Sequence, residues 1–270
     1  MNHLGFKLVA IDLDGTLLDH NKKIPRSTVE TIKKIEENGV AVVLASARPV
    51  CSMLPYVKQL NLKMPMVSLS GAYIVMPDQS EIIYERPLEF TSYQKLANII
   101  ENKKCYLKVY GKNHLYVERA IEETFKYSEG FFVPYTEVGA GGLSKMEKVP
   151  FRMFVHGLSS QVLQELRLVI QEGFPMFTTV KEATNGLEVV DFMVNKGNAL
   201  QILCEKYSID MADVIAIGNE GNDISMVKEA GLGVAMGNAC DELKQLADEI
   251  TKDNTALGVE WVLKKYLLED

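Results

Sequence analysis

Cysteine and histidine are scarce, with four of each in 270 residues. The cysteines, at 51, 105, 204 and 240, are scattered, and no two stand as C-x-x-C. Zinc clusters and disulfide frameworks depend on such spacings, so neither is expected here. No apolar run reaches the roughly 18 residues that a membrane-spanning helix takes, so no membrane partner is expected. The opening stretch MNHLGFKLVAIDLDG lacks the cationic start, apolar core and small-residue cleavage site of a secretory leader. A cytoplasmic location is expected. Positive charge is also short: 29 Lys and Arg against 36 Asp and Glu leave a net charge of -7. An acidic chain repels a phosphate backbone, so nucleic acid is not an expected partner. An anionic small molecule would need a local offset from a cation, a Lys or Arg, or backbone amides.

What is present is an ordinary globular mixture, 47% hydrophobic and 24% charged. The length suits one large domain or two smaller ones; it does not decide between a monomer and a dimer. Leu8 to Ile11 is a continuous apolar run, as in a strand buried on both faces of a parallel sheet. Residues 25 to 38 have helical spacing, with Pro25 suited to the first turn and Gly39 to the stop. Residues 40–44 and 66–69 are further strands, with a helix over 50–60 between them. After residue 191 the alternation resumes, with helices over 198–207, 222–230, 239–248 and 255–267 and strands over 214–217 and 233–236. Such alternation builds right-handed βαβ units around a doubly wound parallel sheet.

The middle differs. Residues 106–110, 114–117 and 151–155 alternate polar and apolar, the pattern of an antiparallel sheet with one wet face. Helices over 92–103 and 160–172 can cover the other face. Phe131 and Phe132 are expected to pack within this part, and Gly139 to Gly142 to form a flexible loop. The expected organisation is α/β. A Rossmann-like core over 1–83 and 191–270 is interrupted by an inserted α+β domain over 84–190.

The chemistry concentrates where strands end. In IDLDGTLLD, Asp12 and Asp14 leave the first strand on the same side. They lie beyond a carboxyl end, where open α/β sheets place their ligands. Two carboxylates so close repel unless a cation lies between them or one keeps its proton. A hard cation wants oxygen ligands, and a protonated Asp is a general acid. Alternatively, the stretch is an Asp-Gly turn capping a helix. Ser46 after the second strand has a helix-cap reading, and Lys196 before a helix has a solvated-surface reading. Glu188 and Asp191 read as positioning or surface residues. The loop IGNEGND, residues 217 to 223, crowds polar groups behind an apolar run.

In order, DLDGTL, Ser46 in LASAR, Lys196 in NKGNAL, GNEGND and GVAMGNA resemble the motifs of the haloacid dehalogenase superfamily, and of its Cof-type capped phosphatases in particular. The resemblance covers the whole chain and implies a magnesium-dependent phosphatase acting on a small phosphorylated metabolite, such as a sugar, flavin-type or pyridoxal-type phosphate. Asp12 would be the nucleophile, forming an aspartyl-phosphate, and Asp14 the general acid and base. Ser46 and Lys196 would complete the catalytic set. Ser46, Ala47, Arg48, Lys196 and Asn222 would contact substrate, although Arg48 could equally pair with a surface acid. The magnesium ion would be held by Asp12, Asp14, Asn219 and Asp223.

Two departures stand out. Asn219 occupies a position that is usually aspartate in similar sequences; Glu220, or Asp223 through water, could compensate for the missing charge. Ser70 stands where Asn is usual. Two other functions use the same residues: a phosphomutase or phosphotransferase, and a phospho-ligand binding protein weakened at Asn219.

Overall fold

The computed structural model describes residues 5–157, 159–182 and 186–268. The first four residues, at the start of the stretch searched for a leader, lie outside the described residues. The chain forms two compact units: one of Met1–Ala47, Met53–Tyr84 and Asn195–Asp270, the other of Arg48–Ser52 and Glu85–Val194.

The first unit is a doubly wound α/β domain. Among the described residues its main sheet has five strands, in the order Glu249–Ile250, Leu232–Ala235, Val214–Gly218, Leu8–Ile11 and Ala41–Leu44. All four pairings are parallel. The Leu8–Ile11 strand is 0 % exposed throughout, and so are Val214 to Ile217, because helices cover both faces. This explains the unbroken apolar runs: every side chain leaves water, each large one worth about 1.5–3 kcal/mol. Met66–Ser68 touches the second strand through the parallel bridge of Val67 to Ala45. Its main pairing is antiparallel, with Tyr73–Val75, in a small sheet completed by Ile82–Glu85. Those last two strands and the two-residue edge strand at 249 carry too short a pattern to be expected.

The second unit is α+β. Its six described strands run in the order Phe177–Glu182, Gly186–Asp191, Arg152–His156, Tyr106–Tyr110, Leu115–Val117 and Tyr135–Glu137. The pairings are antiparallel except the last, which is parallel. Helices Phe90–Asn102 and Ser160–Gly173 bury one face over a core that includes Leu96, Leu107, Met153, Leu166 and Val189.

The expected wet face is not open where Lys108, Arg152 and Glu188 stand. Lys108 bonds Glu123 and lies over the Tyr127 ring, both on the helix Glu122–Phe131. Arg152 pairs with Glu188 at 3.2 Å, and both are buried. The alternation was correct, but the polar residues meet one another and aromatic rings instead of solvent. Phe131 stacks on Tyr127 as expected of a packed aromatic. Phe132 does not pack: it ends the helix with φ +55° and is 70 % exposed. The glycine loop is followed by a short turn tied to the Phe90–Asn102 helix by the Tyr93 hydroxyl, which donates to Leu143 O, and by Leu143 N–H, which donates to Glu101. No helix of the described residues is long and apolar enough to cross a membrane.

Candidate active site

Three strands of the first unit end on one line. Ile11 pairs with Ile217 on one side and with Leu44 on the other, so the residues that follow leave the sheet together. The pairing runs one step further: Asp12 N–H donates to Ile217 O at 3.0 Å and Ala45 N–H to Ile11 O at 3.0 Å. Asp12, Ser46 and Asn219 are thus set at the carboxyl edge of the sheet. Asp12 is buried, and the Asp14 side chain is exposed.

Lys196 enters from the first turn of the helix Lys196–Tyr207. Asn195 caps that helix by accepting from Asn198 N–H at 2.7 Å, and Gly197 N–H donates to Ser225 Oγ at 3.0 Å. The Lys196 side chain is 0 % exposed, and its Nζ lies 2.6 Å from both Asp12 Oδ1 and Asp223 Oδ1. Burial alone would favour the neutral amine, but two carboxylates in direct contact hold the ammonium well above its ordinary pKa. Burial pushes Asp12 up to about 7, aided by the charge of Asp223 and opposed by Lys196. With both carboxylates ionised, the one buried cation between them leaves one negative charge in surplus.

The loop after the third of these strands is shaped by Gly218. A Cβ there would lie 2.4 Å from Asp223 Cβ, so only glycine lets the loop fold back. Asp223 Oδ2 accepts from Asn219 N–H at 2.8 Å and Glu220 N–H at 3.0 Å. Both oxygens of Asp223 are therefore engaged, one by Lys196 and one by the loop. Asp223, expected as a metal ligand, also holds the loop that carries Asn219 and the lysine. Glu220 is exposed, and Asn222 is half buried.

Asn219 is buried, and its backbone is fixed at both ends: its N–H by Asp223, and its carbonyl by Cys240 N–H at 2.9 Å. The inward end of its carboxamide lies 3.0 Å from Asp14 O, 3.0 Å from Thr16 Oγ1 and 3.3 Å from Asp12 Oδ2. The outward end rests against Gly15, where a Cβ would approach within 2.4 Å. A carboxylate oxygen, a backbone carbonyl and a carboxamide meet here in a region of surplus negative charge. That donor set fits a hard divalent cation such as magnesium. Among the described residues no three His, Cys, Asp or Glu side chains cluster as a metal site, and this set contains only one carboxylate.

The remaining expected residues are more dispersed. Ser46 is buried, with its N–H donating to Val67 O at 2.9 Å and its carbonyl accepting from Ser70 N–H at 3.1 Å. Ala47 is half buried. Arg48 groups with the second unit, its guanidinium 4.4 Å over the Phe131 ring and bonded to Ser52 Oγ at 3.3 Å. Glu188 and Asp191 are buried ion-pair members, Asp191 with Arg86 at 3.1 Å, and neither is a surface residue.

Several contributors escaped sequence reasoning. Thr16 and Asn195 touch the machinery directly. Asn238, in GVAMGNA, donates to Gly15 O at 2.8 Å, and Asn254 donates to Leu18 O at 2.8 Å. The motif around Asn238 thus supports the loop that carries Asp12 and Asp14. Its position in a motif was the available signal; Asn254 offered none.

Comparison with known proteins agrees with this arrangement. The family model for haloacid dehalogenase-like hydrolases matches residues 9–263. The 5-amino-6-(5-phospho-D-ribitylamino)uracil phosphatase YcsE of Bacillus subtilis is 30% identical over 97% of this chain and 96% of its own. YitU of the same organism, which carries the same activity in its name, is 29% identical over 96% of this chain and 97% of its own. The crystal structure of a haloacid dehalogenase-like hydrolase from Bacteroides thetaiotaomicron superposes with a TM-score of 0.86 at 27% identity, covering 96% of this chain and 99% of that one. With its fold, its strand-end carboxylates and its buried lysine accounted for along nearly the whole length, this chain belongs to the haloacid dehalogenase-like hydrolase family.

Proposed function

We propose that this chain is a magnesium-dependent phosphatase that hydrolyses a small phosphomonoester through an aspartyl-phosphate on Asp12. The observation that carries the reading is the buried Lys196 ammonium, 2.6 Å from both Asp12 and Asp223, at the line where three parallel strands end. Lys196 fixes the plane of the Asp12 carboxylate and supplies positive charge where a phosphoryl group would sit. Attack by an Asp12 oxygen on phosphorus forms the acyl phosphate as the ester oxygen leaves. Asp14, exposed at the same edge, donates the proton that the departing alkoxide takes. Water then attacks the phosphorus, Asp14 accepts its proton, and Asp12 is released with inorganic phosphate. Ser46 donates to a phosphoryl oxygen, with Ala47 and Asn222 beside the same group. Asp12, the Asp14 carbonyl and Asn219 would hold the magnesium ion, which when bound supplies charge neutralisation for the transferring phosphoryl group.

In this reading the inserted unit is a cap that selects the leaving group, and Arg48 belongs to its selecting surface. The names of two relatives support a phosphorylated polyol or sugar as substrate, with 5-amino-6-(5-phospho-D-ribitylamino)uracil as the first compound to try. A cytoplasmic enzyme, monomeric or dimeric, suits such a metabolite. Phosphate release across a panel of phosphomonoesters, with and without magnesium, tests the reading. Asp12→Asn is expected to abolish release, and retained turnover would refute the nucleophile. Isomerised product without free phosphate would point to a phosphomutase instead.

A further inference from the structure

We infer that the Asn219 carboxamide has two working positions, oxygen inward with a divalent cation and nitrogen inward without one. The inference rests on the phosphatase reading of the site. Of the three atoms around the inward end, Asp14 O accepts only, and an ionised Asp12 Oδ2 accepts only; the Thr16 hydroxyl can donate or accept. With oxygen inward, Thr16 donates to it at 3.0 Å, but the two other oxygens face it at 3.0 and 3.3 Å with no proton between. With Asp12 ionised, a cation between them reconciles them. Neighbouring oxygens of a magnesium octahedron with 2.1 Å bonds stand about 3.0 Å apart, which matches this spacing. With nitrogen inward, the same end donates to Asp14 O, to Thr16 Oγ1 and toward Asp12 Oδ2 at those same distances. The carboxamide then partly satisfies, by hydrogen bonds, the oxygens that the cation otherwise holds.

Nothing else has to move. The Asn219 backbone is held by Asp223 and Cys240, so half a turn about the last side-chain torsion exchanges the two ends. Thr16 serves either position because its hydroxyl reverses role. An aspartate here would present oxygen at both ends and could not donate. The cation-free site would then set three oxygens against one another beside a surplus negative charge. Asn219 thus stabilises the cation-free protein and lowers cation affinity, in one substitution. The site takes a hard divalent cation weakly and gives it up readily.

The test compares wild type, Asn219→Asp and Asn219→Ala, stripped by a chelator and titrated with magnesium chloride. Calorimetry reads affinity, and thermal unfolding reads stability with and without the ion. Asn219→Asp is expected to unfold at a lower temperature than wild type without magnesium. It is expected to bind the ion about tenfold more tightly or better, and to gain more stability from it. Asn219→Ala, with neither donor nor oxygen, is expected to lose both cation-free stability and affinity, and it carries the test if the aspartate variant does not fold. In wild type, the Asn219 side-chain amide resonances should shift on adding magnesium. Equal affinity and equal cation-free stability in all three proteins would overturn this inference while leaving the phosphatase reading standing. No magnesium binding by any of them would overturn both.

Discussion

Removing Lys196 would leave two buried carboxylates, Asp12 and Asp223, facing each other without the cation that both touch. Breaking a buried ion pair from one side costs about 3–5 kcal/mol, because the remaining charge keeps its desolvation penalty. Lys196→Met is therefore expected to lower the chemical denaturation midpoint strongly as well as to abolish phosphate release. A surface lysine would do neither. Asp12, Asp14 and Lys196 each stand beside a recognisable strand or helix boundary in the sequence, but only the ordered motifs, not the local pattern, mark Lys196 as more than a surface lysine. How Asp223 spends its oxygens was not legible there. Its engagement with Lys196 and two N–H groups depends on a loop closed over Gly218, a three-dimensional accident of one missing Cβ.

Elements aim the residues. The turn Leu69–Gly71 has three successive residues at positive φ, ending in Gly71 at +104°. A Cβ on Gly71 would meet Asn195 O at 2.3 Å, next to the cap of the lysine-bearing helix. Gly71→Ala is expected to displace Asn195 and to cut activity well beyond its effect on stability, which a comparison of kcat with unfolding midpoint would register. Ser70, at φ +61°, occupies a conformation that asparagine tolerates better, a backbone reason for the amide expected at this position. The strands of the parallel sheet were readable because continuous apolar runs have one explanation. The helix Glu122–Phe131 was not, because its buried side meets Lys108, Tyr110 and Arg48 instead of an aliphatic core. Periodicity of apolar residues cannot register a helix that packs on charges and rings.

At the scale of the whole molecule, a chain of net charge -7 directs its chemistry to one sheet edge and gives a long insertion its own sheet. The strand–helix alternation and its interruption were both visible along the sequence. The grouping of Arg48–Ser52 with the inserted unit was not, since no local pattern marks five residues as belonging elsewhere. The second unit stands on an internal polar layer, and Arg152→Met would remove the guanidinium 3.2 Å from Glu188, which is 0 % exposed. A loss of about 3–5 kcal/mol is expected, measurable as a lower urea midpoint.

The central claim is covalent catalysis by Asp12. Asp14→Asn should still accept a phosphoryl group from an aryl phosphate, whose leaving group needs no proton, while hydrolysing the intermediate slowly. Acid quenching during magnesium-supported reaction, followed by peptide mass mapping, is the direct measurement. The expected result is a phosphoryl adduct on the peptide containing Asp12, absent from Asp12→Asn. Continued phosphate release with no adduct on Asp12, or an adduct on another residue, would contradict the account.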